Sequence, residues 1–372
     1  RELIQESVKL SKNLIERGLK PGDRVGIYFP KGIEQIISVY GILMAGCTYV
    51  PLDVNMPIER INNINKKANF AMIISELQLD IDIPILLLKN LIDYEDLDFE
   101  PVRVSVDDTA YIIFTSGTTG EPKGVEISHK AAWNTIKDVN ERIDCNKEDV
   151  FLGVSRLCFD LSVYDIFGAL SVGAKLILPR QNSLTNPNDW IYLIKKHKVT
   201  IWNSVPALME LMTNILEDKN YKIYTIRKIL LSGDWIPLKL PCKIQYFLCD
   251  ASLYSLGGAT EASIWSNIYK VEKIDKEYDS IPYGKPLSNQ KFKILNENLN
   301  SVPIWVKGDL YIKGTGLAKG YVNDYEITSK SFITDPEDGH VMYRTGDKAM
   351  YHPDGIIEFM GREDTQVKIN GY

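Results

Sequence analysis

The chain has 372 residues, with 43 basic and 49 acidic side chains and a formal charge of −6 at neutral pH. At 45% hydrophobic and 25% charged residues, the composition is globular and excludes disordered, collagen-like and fibrous classes. The length exceeds what one hydrophobic core serves, and the mildly acidic balance argues against a nucleic-acid or anionic-membrane surface.

In chain order, residues 1–15 carry a helical pattern, with Ile4, Val8 and Ile15 on one stripe and Leu3, Leu10 and Leu14 beside it. Residues 23–29 read as a strand after the Pro21-Gly22 turn. Ile33, Ile36, Ile37, Tyr40, Leu43 and Met44 then form one helical face, ending near Gly46. Residues 71–75 and 111–114 are short buried-type strands. A helix over 131–143, strands at 150–154 and 174–178, a helix over 190–197, a strand at 199–202 and a helix over 206–216 continue the theme. This alternation predicts α/β architecture, with parallel sheets covered by crossover helices. After about residue 281 the pattern changes to short strands with glycine punctuation, at 292–295, 309–313, 349–351 and 356–360. A smaller, antiparallel, barrel-like unit is expected there. The chain opens inside a helical pattern, and residues 366–372 alternate like a strand that stops, so a fragment of a longer chain is expected.

Five cysteines (Cys47, Cys145, Cys158, Cys242, Cys249) are scattered, with no CxxC and no histidine at zinc spacing. Such usage reads as reduced thiols of a cytoplasmic protein rather than a disulfide framework. The four histidines are equally dispersed, which argues against a Cys/His metal centre. No apolar run reaches the roughly 20 residues that a bilayer requires.

The most informative stretch is Tyr111-Ile112-Ile113-Phe114-Thr115-Ser116-Gly117-Thr118-Thr119-Gly120-Glu121-Pro122-Lys123-Gly124. A buried strand runs into a loop of hydroxyls, glycines and one lysine. Glycines let backbone amides turn toward an anion, and the hydroxyls and lysine add donors, as a polyphosphate needs. The bland alternative is a flexible hairpin turn with a surface lysine. It is not a Walker loop, because no Gly-Lys-Ser/Thr closes it.

Residues 115–124 resemble the signature of the adenylate-forming enzymes: acyl-CoA ligases, luciferases and the adenylation domains of nonribosomal peptide synthetases. Further landmarks follow in order: Ala45-Gly46-Cys47-Thr48-Tyr49-Val50-Pro51-Leu52-Asp53, Phe159-Asp160-Leu161-Ser162-Val163 and Gly258-Ala259-Thr260-Glu261. Gly314-Thr315-Gly316-Leu317-Ala318-Lys319-Gly320-Tyr321, Tyr343-Arg344-Thr345-Gly346-Asp347 and Gly361-Arg362-Glu363-Asp364-Thr365-Gln366-Val367-Lys368 complete the set. The resemblance covers essentially the whole chain. Val50-Pro51-Leu52-Asp53 and Gln366-Val367-Lys368-Ile369 favour the peptide-synthetase branch.

The resemblance implies two αβαβα-type subdomains over residues 1–280, a small distorted β-barrel over 281–361, and a hinge at 362–372 leading to a C-terminal domain outside this chain. It implies that Thr115, Ser116, Gly117, Thr118, Thr119, Gly120 and Lys123 hold the ATP phosphates. Glu261 would bind Mg²⁺, which prefers one or two carboxylates plus phosphate oxygens. Thr260 would lie against the α-phosphate, so Thr260, Glu261 and Lys123 form the implied catalytic set. Asp347 would hold the ribose hydroxyls with help from Arg362, and Asp364 would be the hinge. Without the family, Glu261 reads as a solvated helix-start acid, and Asp347 and Arg362 as ordinary ion-pair partners. The family's catalytic lysine belongs to the C-terminal domain. Many relatives stack adenine on a tyrosine where this chain has Gly257, which leaves Gly233-Asp234-Trp235 or Tyr254 for that contact.

Asp160 matches the aspartate that pairs with the α-ammonium of an amino acid, since a buried ammonium needs an opposite charge. Its bland reading is a helix cap. The implied substrate wall is Asp160, Leu161, Tyr164, Asn203, Leu230, Ser232, Leu256, Ile264 and Trp265. It resembles that of cysteine-activating domains, and a thiol, as a weakly hydrogen-bonding hydrophobe, suits an apolar wall. L-Cysteine is the expected substrate, with serine or another small amino acid next. The product would be an aminoacyl adenylate, passed to the phosphopantetheine thiol of a peptidyl carrier protein. An upstream condensation or heterocyclisation domain is the further expected partner. A CoA ligase for a small carboxylic acid is the enzymatic rival, disfavoured by Asp160. A nucleotide-binding module without catalysis is the non-enzymatic one.

Overall fold

The computed structural model describes residues 1–94, 99–116, 121–272 and 280–362. The chain divides into two compact units. One comprises Arg1–Ala132, Arg156–Asp160 and Ala318–Thr328; the other comprises Trp133–Ser155, Leu161–Leu317 and Ser329–Tyr372.

The first unit is built on a seven-stranded sheet. Parallel strands Arg24–Tyr28, Thr48–Leu52, Met72–Ser75 and Ile85–Leu87 form most of it, with Thr109–Ser116 parallel to Thr48–Leu52. Its other edge turns antiparallel, because Pro122–Ser128 folds back on Thr109–Ser116 and Gly320–Tyr321 pairs with Pro122–Ser128. Parallel strands buried on both faces read as apolar runs, which is why Arg24–Tyr28, Met72–Ser75 and Thr109–Ser116 were legible; Thr48–Leu52 and Ile85–Leu87 were not anticipated.

The opening helix, Glu2–Glu16, buries Val8, Leu10 and Leu14, but Ile4 and Ile15 are exposed, contrary to the predicted stripe. Asn13 takes a core position instead. Its side chain donates to the Ile92 carbonyl and accepts from the Ile92 amide, each at 3.0 Å. The next helix, Ile33–Met44, turns Ile36, Val39, Gly41 and Ile42 inward rather than the predicted Ile33, Ile37, Tyr40, Leu43 and Met44 face. The cause is close helix packing: a Cβ on Gly41 would come within 2.7 Å of Leu10 Cδ2. Counting apolar residues cannot see a face selected by a glycine.

The second unit holds another seven-stranded sheet and a five-stranded one. In the former, Lys175–Ile177, Val150–Leu152, Ile201–Ser204, Lys228–Leu231 and Ser252–Gly257 run parallel, and Asn267–Val271 and Lys285–Pro286 close the edge antiparallel. Trp202, Ile229, Leu231 and Leu253 face one way, into a core with Trp190, Met209, Met212 and Ile244 from the covering helices. The five-stranded sheet, from Gln290–Leu295 to Ile357–Arg362, is antiparallel throughout. Among the described residues no helix is long and apolar enough to cross a membrane.

Candidate active site

In the first unit, Thr109–Ser116 and Pro122–Ser128, which flank the hydroxyl- and glycine-rich segment in sequence, pair antiparallel, with Thr115 opposite Lys123 and Ser116 opposite Pro122. Thr115 Oγ1 donates to the Lys123 carbonyl at 3.5 Å. The Lys123 ammonium lies 5.6 Å from the centroid of the Tyr321 ring. Gly117, Thr118, Thr119 and Gly120 lie outside the described residues. Asp160, half-buried, closes the short segment Arg156–Asp160 and immediately precedes the helical turn Leu161–Val163.

In the second unit, the predicted wall residues other than Asp160 lie on or beside the sheet face opposite the large core. Parallel register aligns Asn203 with Leu230 and Leu230 with Tyr254, so Asn203, Leu230, Ser232 and Leu256 share one face near the carboxyl ends of three adjacent strands. Crevices at such strand ends are where open α/β sheets bind ligands. A continuous helical segment covers this face: Leu161–Val163, a π-helical turn over Tyr164–Gly168, and Ala169–Ser171. Single π turns accompany functional sites often.

Tyr164 is fully buried and its hydroxyl donates to Asn140 Oδ1 at 2.8 Å. Its ring, 4.9 Å from that of Trp265, is therefore an apolar surface with its one polar atom already committed. The Trp265 indole N–H donates to Ser232 Oγ at 2.9 Å, and Gln290 Nε2 donates to the Trp265 carbonyl at 3.1 Å. Ile264 and Ser263 adopt φ of 73° and 59°. A β-branched residue is strained in that region by about 1–3 kcal/mol, and such strain collects at functional sites.

The residues of this unit expected at the nucleotide lie at three places. Thr260 and Glu261 form a 3₁₀ turn, Thr260–Ala262, after the extended Gly258-Ala259. The single half-buried carboxylate of Glu261 is the donor type that shares Mg²⁺ with phosphate oxygens and water. Among the described residues no three of His, Cys, Asp and Glu gather as a ready-made metal cage. Asp347 and Arg362 are register partners on adjacent antiparallel strands and form an ion pair at 3.4 Å. The bland reading of these two residues is thus realised in the geometry. Gly233 follows the strand Lys228–Leu231 with φ of 85°. Asp364, the expected hinge, and the strand-like pattern at 366–372 lie outside the described residues.

Two neighbours escaped the sequence reading. Asp165, 2% exposed, accepts a hydrogen bond from Asn203 at 2.8 Å; an acid on the apolar side of a helical run was its only sequence signal. Tyr283 lies over Gly257, where an added Cβ would come within 2.0 Å of the ring carbon Cε2. Burial, and then the nearby Asp347 charge, push its phenol well above the ordinary tyrosine range. Tyr283 also stacks on Phe359 with centroids 5.8 Å apart, and Phe359 meets the half-exposed Trp235 edge-on at 4.9 Å. Tyr254, by contrast, is 6% exposed and its hydroxyl lies 3.3 Å from Lys228 Nζ.

Residues 1–322 match the family described as AMP-binding enzyme. The chain belongs to that family. It has the adenylate-forming α/β fold. It is 43% identical over its whole length to bacitracin synthase 1 of Bacillus licheniformis, of which it covers 7%. To pyochelin synthetase PchE of Pseudomonas aeruginosa it is 40% identical, again over its whole length, covering 26% of that protein. The chain thus spans a small part of the curated relatives it matches. Among solved structures, the nonribosomal peptide synthetase FmoA3 in its AMPPNP-bound form shares 37% identity and a TM-score of 0.92, over 97% of this chain and 39% of that one. A further FmoA3 structure contains α-methyl-L-serine-AMP. The fused adenylation–carrier di-domain NpsA-ThdA from Klebsiella oxytoca shares 26% identity and a TM-score of 0.88, over all of this chain and 75% of that one.

Proposed function

We propose that the chain activates L-cysteine as its adenylate, with release of pyrophosphate, for transfer to a carrier-protein phosphopantetheine thiol in nonribosomal peptide synthesis. The observation that carries this reading is the wall of the second unit. Leu230, Leu256, Tyr164, Ile264 and Trp265 supply apolar surface, and Ser232 and Asn203 supply the polar atoms. No wall side chain carries a positive charge that would answer an acidic substrate, and a thiol, as a weakly hydrogen-bonding hydrophobe, suits an apolar wall. Serine is the second reading, because FmoA3, which shares 37% identity, binds a serine-derived adenylate.

In the proposed reaction a carboxylate oxygen of the amino acid attacks the α-phosphorus of ATP. A new P–O bond forms, the bond to the β-phosphate bridge breaks, and pyrophosphate leaves. The protein's work is to position both reactants and neutralise phosphate charge. Asp160 would pair with the α-ammonium, while Thr115, Ser116 and Lys123 donate to the phosphates and Thr260 lies against the α-phosphate. Glu261 would hold Mg²⁺, which supplies charge neutralisation when bound. Asp347 would accept from the ribose hydroxyls, with Arg362 paired beside it. Trp235 with Phe359, rather than the buried Tyr254, supplies the exposed aromatic surface for adenine. The carrier-domain partner is supported by the di-domain NpsA-ThdA; a condensation or heterocyclisation partner extends the same proposal.

The test is amino-acid-dependent ATP–pyrophosphate exchange on the protein at its native full length. Cysteine should give the highest signal, and Asp160→Ala should reduce exchange by about a hundredfold or more, the effect of losing a buried charge partner. A best response to an aryl or fatty acid, or undiminished exchange in Asp160→Ala, would sink the amino-acid reading.

A further inference from the structure

Asp53 closes the landmark Val50-Pro51-Leu52-Asp53, which the proposed reaction leaves without a task. It follows the fully buried strand Thr48–Leu52 and is held in a tight turn. Its Oδ1 accepts from the Asn55 amide at 2.8 Å, and its carbonyl accepts from the Met56 amide at 3.0 Å. Tyr28, the register partner of Leu52, donates its hydroxyl proton to the Val54 carbonyl at 2.9 Å. The turn is thus fastened to the central strands of the first sheet and presents the second carboxylate oxygen in one direction.

That oxygen, Oδ2, accepts from the Arg156 guanidinium at 2.9 Å, across 103 positions of sequence. The two side chains are 16% and 32% exposed, so solvent ions screen the pair less than a surface one. The five residues Arg156–Asp160 belong to the first unit, although the chain on either side of them belongs to the second. The Arg156 carbonyl accepts from the Phe159 amide at 3.0 Å, so the segment bends into one turn and delivers Asp160 directly after it. Cys158 lies within that turn, and burial, then the Asp53 charge, push its thiol up to about 11.

We propose that Asp53 and Arg156 are positioning residues: their ion pair sets the place at which the Asp160 carboxylate meets the α-ammonium of the amino acid. This rests on the adenylation reading above and adds to it the device that aims its ammonium partner. The turn between Arg156 and Asp160 is closed by its own hydrogen bond, so a shift at one end is passed to the other. Displacing a binding group by about 1 Å costs up to about a hundredfold.

The experiment measures cysteine-dependent pyrophosphate exchange on the full-length protein. 3-Mercaptopropionate, which is cysteine without its ammonium, serves as competitive inhibitor. Arg156→Met should raise KM for cysteine about tenfold and leave both KM for ATP and Ki for 3-mercaptopropionate within about twofold. Arg156→Lys should recover most of the loss, because a single N–H···O bond to Asp53 is one that an ammonium also makes. An unchanged KM for cysteine in folded Arg156→Met overturns the proposal. An equal rise for all three ligands also overturns it, because the pair would then serve the fold. Should Arg156→Met fail to fold, Asp53→Asn carries the same comparison, and failure of both to fold assigns the pair to the fold. If another amino acid exchanges best, it and its desamino analogue replace cysteine and 3-mercaptopropionate. Asp160→Ala separates this proposal from the reading beneath it. Undiminished exchange there sinks the ammonium assignment and this proposal with it, whereas loss there with no change in Arg156→Met sinks the positioning role alone.

Discussion

At the scale of single residues, Gly257 and Tyr283 are one feature rather than two. The ring of Tyr283 occupies the volume that any side chain at 257 would need. Gly257→Ala should lower stability by about 1–3 kcal/mol through overpacking. In the Tyr283→Ala background the same change should cost less than about 1 kcal/mol, because the colliding atoms are gone. Urea unfolding of the four proteins of this cycle measures the coupling, and additive effects would count against the contact. The sequence displayed the glycine as a departure from a family habit, but not the ring that makes it necessary, which lies 26 positions further on. Asn203 and Ser232 were expected as wall residues, and strand periodicity places them on one sheet face. What each atom does was not legible, since that depends on Asp165 and on the indole of Trp265, supplied by other segments.

At the scale of elements, two of the strands that carry the predicted wall are anchored at their opposite ends, together with Val150–Leu152, by one buried acid. Asp149, 3% exposed, precedes Val150–Leu152 and accepts from Thr200 Oγ1 at 2.7 Å, from the Asn146 amide at 2.9 Å and from Arg227, whose Nε lies 2.7 Å away. Thr200 and Arg227 lead into Ile201–Ser204 and Lys228–Leu231, so a single carboxylate ties three adjacent strands. Burial alone would raise its pKa, but the bonds from Arg227 and Thr200 outweigh this and hold it below the ordinary aspartate value. A depressed carboxylate pKa gives stability that is complete above the unfolded value, near pH 4, and is lost as pH falls toward the folded one. Unfolding midpoints should therefore drop as pH falls below about 4, and Asp149→Asn should lose part of that drop. Arg227→Met should cost about 3–5 kcal/mol at pH 7 by stranding the buried acid; unchanged stability would refute the anchoring role. Where the sequence reading placed a strand or a helix the type held, because apolar runs and periods survive without partners, but Ile58–Ala68, Lys228–Leu231, Ser252–Gly257 and Asn267–Val271 were not anticipated. The antiparallel edges of both large sheets were not legible, since register is a property of pairs.

At the scale of the whole molecule, ligand binding should register as stability. ATP with Mg²⁺ at a hundredfold excess over its Kd adds about 2.7 kcal/mol to a protein that binds it only when folded. Thermal melts with ATP should shift upward in the native protein and much less in Lys123→Ala. An equal shift in both would remove Lys123 from the phosphate site. The first unit also has a history that its finished form hides. Its sheet is completed by Gly320–Tyr321, which pairs with Pro122–Ser128 while the Val322 amide bonds to the Gly124 carbonyl at 2.8 Å. About 190 residues separate these partners, and at roughly 5–20 residues per second a ribosome needs about 10–40 s to bridge them. For that interval the hairpin bearing the proposed phosphate donors carries an open strand edge, the kind of surface to which other chains add. Translation speed between residues 128 and 320, and any chaperone that caps that edge meanwhile, should set the yield of active protein.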